Sequence, residues 1–139
     1  MLQYTASVHS VSLVIPAYNE EEALPRTFER CLHTLQQCTS DYEIVMLDDC
    51  SCDGTWPVMQ ELCRRDPARI RALRHPENRG IAVTFEDLYR AAGKEFVFLI
   101  PADGEYPPEA LGQCMPLMDR GADIVICTRN TKHYTLYRQ

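Results

Sequence analysis

Short apolar runs alternate with longer segments of helical periodicity along the chain, and this alternation constrains the fold more than any other feature. The predicted strands are residues 11–15, 42–47, 69–74, 95–100 and 122–127. The predicted helices are residues 25–38, a segment that follows Gly54, residues 80–92 and residues 107–119. Strands that alternate with helices favour a mostly parallel sheet with helices on both faces, and 139 residues are enough for one domain. The sequence therefore predicts an α/β fold.

Two details of this pattern carry further expectations. Arg69, Arg71 and Arg74 interrupt the third predicted strand. Charged side chains are typical of strands at the edge of a sheet, so we expect this strand at an edge. Pro116 lies inside the last predicted helix, where we expect a bend because proline has no N–H donor.

The charge balance bears on the class of partner. The chain carries 20 acidic and 14 basic side chains, a net charge of −6. Proteins bind nucleic acid mainly through clustered Lys and Arg side chains, so we predict no nucleic-acid partner. A small anionic ligand stays possible where local N–H donors or a bound cation offset the carboxylates.

Cysteine usage and hydropathy bear on the compartment. The seven cysteines are an odd number, and none of them has Cys-x-x-Cys or zinc-ligand spacing. We therefore predict structural or incidental thiols and a reducing, cytoplasmic compartment. Residues 1–10 lack the charged start and apolar centre of a signal peptide. The longest apolar run, residues 96–102, is far shorter than the ~18 residues that cross a bilayer, so no transmembrane segment is predicted.

Polar residues follow most of the predicted strands. Ligands of open parallel sheets bind at the carboxyl ends of the strands, so these segments are where a site is expected. The segments are residues 16–22, 48–55, 75–80, 101–106 and 128–130.

Carboxylates follow the second and the fourth strand. Asp48, Asp49 and Asp53 come after the second strand, and Asp103 and Glu105 come after the fourth. Carboxylates that converge on one edge repel each other unless a cation lies among them, and oxygen ligands suit Mg²⁺ or Mn²⁺. Such an ion could hold a diphosphate. The alternative is that these side chains cap helices or face water.

Several common motifs are absent or incomplete. Asp49-x-Ser51-x-Asp53-Gly54 resembles the start of a calcium loop, but Gln60 stands where that loop needs a bidentate Glu. No phosphate-binding Walker loop, no G-x-G-x-x-G and no G-x-S-x-G occurs. ATPase, dinucleotide-dehydrogenase and serine-hydrolase interpretations are therefore disfavoured.

Two further groups of residues leave alternatives open. Asn78-Arg79-Gly80 precedes a predicted helix and could direct N–H groups and a cation at an anion, or it could be a plain turn. Arg129 could contact a phosphate, although a lone arginine is more often solvated. The histidines, at positions 9, 33, 75 and 133, share no spacing typical of a base or a metal ligand, so core or surface roles are predicted.

Four segments in this order resemble the family-2 glycosyltransferases. They are residues 14–21 (VIPAYNEE), 48–55 (DDCSCDGT), 78–80 (NRG) and 102–109 (ADGEYPPE). The resemblance is greatest to the branch of dolichyl-phosphate mannosyltransferases and polyprenyl-phosphate sugar transferases. It covers residues 11–139, which we predict to be a nucleotide-sugar-binding domain, with residues 1–10 as an N-terminal extension.

The resemblance implies a glycosyltransferase A (Rossmann-like) fold that binds a nucleotide-diphospho-sugar donor. It implies that the nucleoside pocket is lined by Pro16, Ala17, Tyr18 and Glu20. It implies that Asp49 contacts the base, with Asp48 beside it. Arg79 and Gly80 join the predicted donor site. Asp103 and Glu105 would hold Mg²⁺ or Mn²⁺ on the donor diphosphate, where the cation stabilises the charge that develops on the leaving group.

The chain departs from the family pattern at three places. Pro101 replaces the first Asp of the family's Asp-x-Asp motif, so the metal would rely on Asp103, Glu105 and the phosphates. Cys50 and Cys52 replace a Gly and a Thr, and a side chain at the Gly position narrows backbone freedom. Family members also continue beyond this point, so we predict that the domain is truncated at its C-terminus.

Three functions are consistent with the sequence. The first is transfer of a sugar from a UDP- or GDP-sugar to a polyprenyl phosphate, by a protein whose full length lies at the cytoplasmic membrane face. A phosphate acceptor makes a strong general base less necessary. The second is a non-catalytic nucleotide-binding or regulatory domain, and the third is a receiver-like signalling domain, which would need a Lys where Thr128 and Arg129 stand.

Overall fold

The computed structural model describes residues 6–128. Its strands are β1 (Val11–Ala17), β2 (Tyr42–Asp48), β3 (Ile70–Arg74) and β4 (Phe96–Leu99). Its helices are α1 (Leu24–Cys38), α2 (Thr55–Arg65), α3 (Ile81–Ala91) and α4 (Leu111–Asp119), with one turn of 3₁₀ helix at Pro108–Ala110. The predicted alternation of strand and helix is confirmed through α4.

Four parallel strands form the sheet in the order β3-β2-β1-β4. The central strand β1 pairs with β2 from Val11 opposite Tyr42 to Ala17 opposite Asp48. It pairs with β4 from Val11 opposite Phe96 to Val14 opposite Leu99. The arginine-rich strand β3 lies at an edge, as predicted. The loops that follow β1 and β2 therefore emerge side by side at one end of the sheet.

Alternating residues of the two central strands supply a core on each face of the sheet. One face buries Leu13 and Ile15 of β1 against residues of α1, α2 and α4, which include Phe28. The other face buries Val14 and Val45 against Leu88 of α3. The fully buried, mainly apolar β1 is typical of a parallel strand covered on both sides. The predicted helices on both faces are thus confirmed.

The prediction of a fifth strand at residues 122–127 is wrong. Residues 122–128 form no ladder with any described strand. Ile124 and Ile126 are each 81% exposed, while Val125 between them packs against the core. The apolar pattern marks a segment that can bury one side, but a strand also needs a neighbour for its backbone hydrogen bonds.

Pro116 lies inside α4, which follows the 3₁₀ turn directly. The bend expected at Pro116 stays a prediction.

The two ends of the chain and the length of its helices bear on further predictions. Residues 6–10 of the predicted N-terminal extension are tied to the domain through Ser7, whose N–H donates to Cys38 O at 2.9 Å and whose Oγ donates to Asp119 at 2.6 Å. Arg129 and His133 lie outside the described residues. Between residues 6 and 128, no helix is both long and apolar enough to cross a membrane.

Candidate nucleotide-sugar site

A cleft of about 380 Å³ opens at the carboxyl ends of β1 and β2, next to the N-terminus of α3. It is lined by Pro16, Ala17, Tyr18, Glu20, Asp49, Asn78, Gly80, Ile81 and Thr84. Six of these residues are among the nine predicted to bind the donor: Pro16, Ala17, Tyr18, Glu20, Asp49 and Gly80. The parallel sheet brings them together because the loops after adjacent strands share one edge.

The carboxylate of Asp49 holds the 75–80 loop in place. Its Oδ1 accepts the backbone N–H of Arg79 at 2.8 Å, and its Oδ2 accepts the N–H of Gly80 at 2.9 Å. The His75 ring contacts Oδ1 through Nδ1 at 2.7 Å. The N–H of Asp49 itself donates to Ala17 O at 3.0 Å. Asp49 thus joins the loops that follow β1, β2 and β3.

These contacts keep Asp49 ionised. Burial alone would raise the pKa of its carboxyl, but the N–H of Arg79, the His75 ring and the N–H of Gly80 outweigh burial, and the pKa is lowered. The carboxylate also lies at the start of α3, where the helix dipole favours a negative charge. The cleft therefore contains a fixed anion with well-defined donors around it.

Gly80 gives the loop the turn that aims two N–H groups at Asp49. Its φ of 84° and ψ of 165° belong to a region that is populated almost only by glycine. No described atom lies within 4 Å of the position where a Cβ would be, so the requirement for glycine comes from the backbone and not from crowding.

The loops after β1 and β2 are fastened to each other. Asn19 donates its N–H to Ser51 Oγ at 2.9 Å, and its Oδ1 accepts the N–H of Cys52 at 2.8 Å. Glu20 N–H donates to Thr55 Oγ1 at 2.8 Å. Asn19 and Cys50 have φ values of 54° and 61°, so both loops include a residue in the left-handed region. The side-chain hydrogen bonds maintain this unusual backbone.

Asp48 lies beneath the cleft and does not line it. Its side chain is 0% exposed, its Oδ1 accepts the N–H and the hydroxyl of Ser51, and its Oδ2 lies 2.9 Å from Nε of Arg74. The geometry between Oδ2 and Nε gives an ion pair without a well-aligned hydrogen bond. The Arg74 guanidinium carbon lies 5.5 Å from the centre of the Trp56 ring. Asp48 therefore supports the loop, and its contact with a donor remains a prediction.

Glu20 faces the acidic side of the site. Burial, followed by the charges of Asp103, Asp53 and Glu105, raises the pKa of its carboxyl. Carboxylates from the loops after β1, β2 and β4 thus lie close enough to repel each other, as the sequence predicts. A divalent cation among them would relieve that repulsion.

The described carboxylates on this side of the site do not enclose a cation by themselves. Asp103 is exposed, borders a second cleft of about 440 Å³, and accepts the N–H of Glu105 at 3.0 Å. Within residues 6–128, no group of three metal-ligating side chains is close enough to hold an ion by itself. Mg²⁺ commonly uses one or two carboxylates and takes the remaining ligands from phosphates and water. Metal binding by Asp103 and Glu105 stays a prediction.

His75 was not among the predicted site residues. It belongs to the predicted 75–80 segment, and this position was the only signal for it in the sequence. Its side chain is 8% exposed, and Nε2 contacts Asp87 Oδ2 of α3 at 3.0 Å, opposite the contact of Nδ1 with Asp49. Arg79, which was predicted to bind the donor, directs its Nη1 to the same Asp87 oxygen at 3.3 Å.

A family model and two curated relatives match most of this chain. A sequence model of Glycosyl transferase family 2 matches residues 12–138. Dolichol-phosphate mannosyltransferase of Pyrococcus furiosus is 34% identical over 122 residues, which are 88% of this chain and 34% of the relative. Undecaprenyl-phosphate 4-deoxy-4-formamido-L-arabinose transferase of Proteus mirabilis is 28% identical over 132 residues, which are 95% of this chain and 40% of the relative. The chain thus spans well under half the length of these relatives.

Solved structures share the fold. Mannosyltransferase PcManGT from Pyrobaculum calidifontis, in complex with GDP-Man and Mn²⁺, has a TM-score of 0.63 and 24% identity, covering 73% of this chain and 30% of that chain. TarS 1-349 of S. aureus, in complex with UDP-GlcNAc, has a TM-score of 0.66 and 22% identity, covering 80% of this chain and 31% of that chain. At these identities the likeness shows the fold alone, and it confirms the predicted glycosyltransferase A fold.

Proposed function

The chain belongs to glycosyl transferase family 2, and from this premise we propose that it is the donor-binding part of a transferase that moves a sugar from a UDP- or GDP-sugar to a polyprenyl phosphate. The observation that carries the proposal is the ionised Asp49 carboxylate in the cleft at the carboxyl ends of β1 and β2. Guanine and uracil both present a ring N–H that a carboxylate accepts.

Asp49 has capacity left for such a contact. A carboxylate offers about four lone-pair sites, and three are used by Arg79 N–H, Gly80 N–H and the His75 ring. A base bound in the cleft that Asp49 lines would donate its ring N–H to the remaining site. Because all its other contacts are already made, Asp49 would bind without rearrangement, which lowers the entropic cost of binding.

Asp103 and Glu105 are proposed to hold Mg²⁺ or Mn²⁺ together with the donor diphosphate. The cation would neutralise charge on the diphosphate leaving group. Two observations support this assignment: the carboxylates of Asp103 and Glu105 raise the pKa of Glu20, and a fold neighbour is described in complex with Mn²⁺. Glu20 would form the wall between the base and the diphosphate.

The proposed acceptor is a polyprenyl phosphate. The printed names of the two curated relatives are those of a dolichol-phosphate and an undecaprenyl-phosphate transferase. A phosphate oxygen is already a competent nucleophile at neutral pH, so such an acceptor needs no strong general base from the protein. We propose that the whole protein acts at the cytoplasmic face of a membrane, where both a nucleotide-sugar and a lipid phosphate are accessible.

Calorimetric titration of the 139-residue chain with UDP and with GDP, each with and without Mn²⁺, tests the proposal. We expect one nucleotide to bind more tightly with Mn²⁺. Asp103→Asn should remove most of the gain from Mn²⁺, and Asp49→Asn should weaken binding with or without the metal. Asp123→Asn, at an exposed aspartate, is the control. No binding of either nucleotide to the folded chain would refute the donor-site assignment.

A second function is favoured by one residue. Pro101 stands where the family's motif has its first Asp, which removes one carboxylate from the metal site. A domain that binds nucleotide without catalysing transfer would show binding that ignores Mn²⁺ and Asp103→Asn but still requires Asp49. The same titrations therefore separate the two functions.

A further inference from the structure

His75 lies between two carboxylates that come from different elements. Nδ1 is 2.7 Å from Asp49 Oδ1, in the loop after β2, and Nε2 is 3.0 Å from Asp87 Oδ2, on α3. The imidazole is 8% exposed, Asp49 is 7% exposed and Asp87 is 35% exposed. The ring thus connects a carboxylate of the cleft to one near the surface.

Only one protonation state satisfies both contacts. A neutral imidazole has one N–H donor and one acceptor nitrogen, whereas the imidazolium has two donors. Both ring nitrogens lie against carboxylate oxygens, which only accept hydrogen bonds when ionised, so the geometry selects the charged ring. Arg79 adds a second cation 3.3 Å from Asp87, and two positive charges then face two negative ones. Opposite charges thus alternate from the buried Asp49 and His75 to the more exposed Asp87 and Arg79.

We propose that His75 is a positioning residue that fixes Asp49 and the 75–80 loop for nucleotide binding. The inference rests on the proposed nucleotide site. Without the imidazole, the Asp49 carboxylate would lose a partner that connects it to α3, and the N–H groups of Arg79 and Gly80 would be held less firmly.

The other charged groups near His75 leave this role to it. The titratable and charged groups that face the ring are Asp49, Asp87 and Arg79. Asp48, whose backbone oxygen accepts the N–H of His75 at 3.0 Å, directs its own carboxylate to Arg74 and Ser51. His75 is therefore the side chain that connects Asp49 to Asp87.

The ligand-free test is amide hydrogen exchange at Arg79 and Gly80 in the full chain. Their N–H groups donate to Asp49. We expect His75→Gln to lower both protection factors about tenfold. A hydrogen bond to a charged group stabilises by at least the amount that a tenfold change in an equilibrium constant represents. Asp87→Asn should lower them less. Glu86→Gln on the same helix, where Glu86 pairs with Arg90 in an exposed pair, should change neither. Unchanged protection in both His75→Gln and Asp87→Asn would overturn the proposal.

The binding test uses GDP and UDP with the unmodified chain, with His75→Gln and with Glu86→Gln. We expect His75→Gln to raise the dissociation constant about tenfold and Glu86→Gln to leave it unchanged. If His75 acts through Asp49, His75→Gln should weaken binding no further in a chain that already carries Asp49→Asn. Unchanged binding in His75→Gln, or a full additional loss in the double variant, would overturn the proposed role. If neither nucleotide binds while exchange changes as expected, the donor site is refuted and the positioning of Asp49 is supported.

Discussion

Replacing Asp49 with Asn changes one atom and removes one charge at the junction of three loops. The amide oxygen can take the place of Oδ1 and still accept from His75 and from Arg79 N–H. The amide NH₂ then stands where Oδ2 accepted the N–H of Gly80 at 2.9 Å, so that two donors face each other.

The expected cost follows from these contacts. Loss of a hydrogen bond to a charged group costs about 1.5–3 kcal/mol. Each remaining hydrogen bond that changes from a charged to a neutral acceptor loses about another 0.5 kcal/mol. We therefore expect Asp49→Asn to lower the free energy of unfolding by about 3 kcal/mol at pH 7. Total stabilities are about 5–15 kcal/mol, so the variant should still fold.

Acid should erase the difference. The pKa of Asp49 is lowered in the folded chain, because the surrounding donors outweigh burial. Its contribution to stability is therefore complete above the ordinary aspartate pKa of about 3.9 and is lost as the pH falls through the lowered value. Urea denaturation followed by circular dichroism at several pH values measures both effects, with Asp123→Asn as the control.

A difference below about 0.5 kcal/mol at pH 7, which is the size of an ordinary surface substitution, would refute the account of Asp49 as the group that holds the loops. A difference of the expected size that does not shrink in acid would refute the ionic part of the argument and leave a steric one.

Three further predictions concern single residues. Gly80→Ala should cost about 1–3 kcal/mol in urea denaturation because its φ of 84° strains any side chain, whereas Gly93→Ala should cost less than about 1 kcal/mol. Glu20→Gln should stabilise the metal-free chain at pH 7 by less than about 1 kcal/mol, because burial and neighbouring charges raise the pKa of Glu20 and its ionised form opposes folding. The gain should disappear at pH 3.5, where Glu20 is protonated, and a loss of stability at pH 7 would contradict this. Burial raises the pKa of Cys31 to about 12, so a thiol reagent followed by mass spectrometry should label exposed Cys52 long before Cys31.

The sequence predicts the fold well where local pattern and neighbours agree. The apolar run at the start of β1 and the helical spacing in α1 each specify their element, and the arginines of β3 correctly predict its edge position. Residues 122–127 have an equally apolar pattern but form no strand. Hydrophobic pattern measures the tendency to be buried, and it does not say which strand will supply the backbone partners.

The site is predicted as a region and not as a set of contacts. The rule that ligands bind at strand ends identifies the loops that line the cleft. It does not separate Asp48 from Asp49, which are adjacent in sequence, although one is buried on Arg74 and the other lines the cleft. Nor does it identify His75, because its partners are 26 and 12 residues away in the chain and only the folded structure brings them to the ring.

The stacking of Arg74 on Trp56 has a spectroscopic consequence. The chain contains a single tryptophan, and the cation 5.5 Å from its ring centre is the one that neutralises Asp48 beneath the cleft. A positive charge near an indole shifts its emission, and withdrawal of that charge shifts it back. Fluorescence from this one side chain therefore reports, without any added label, whether the ion pair under the loop is intact.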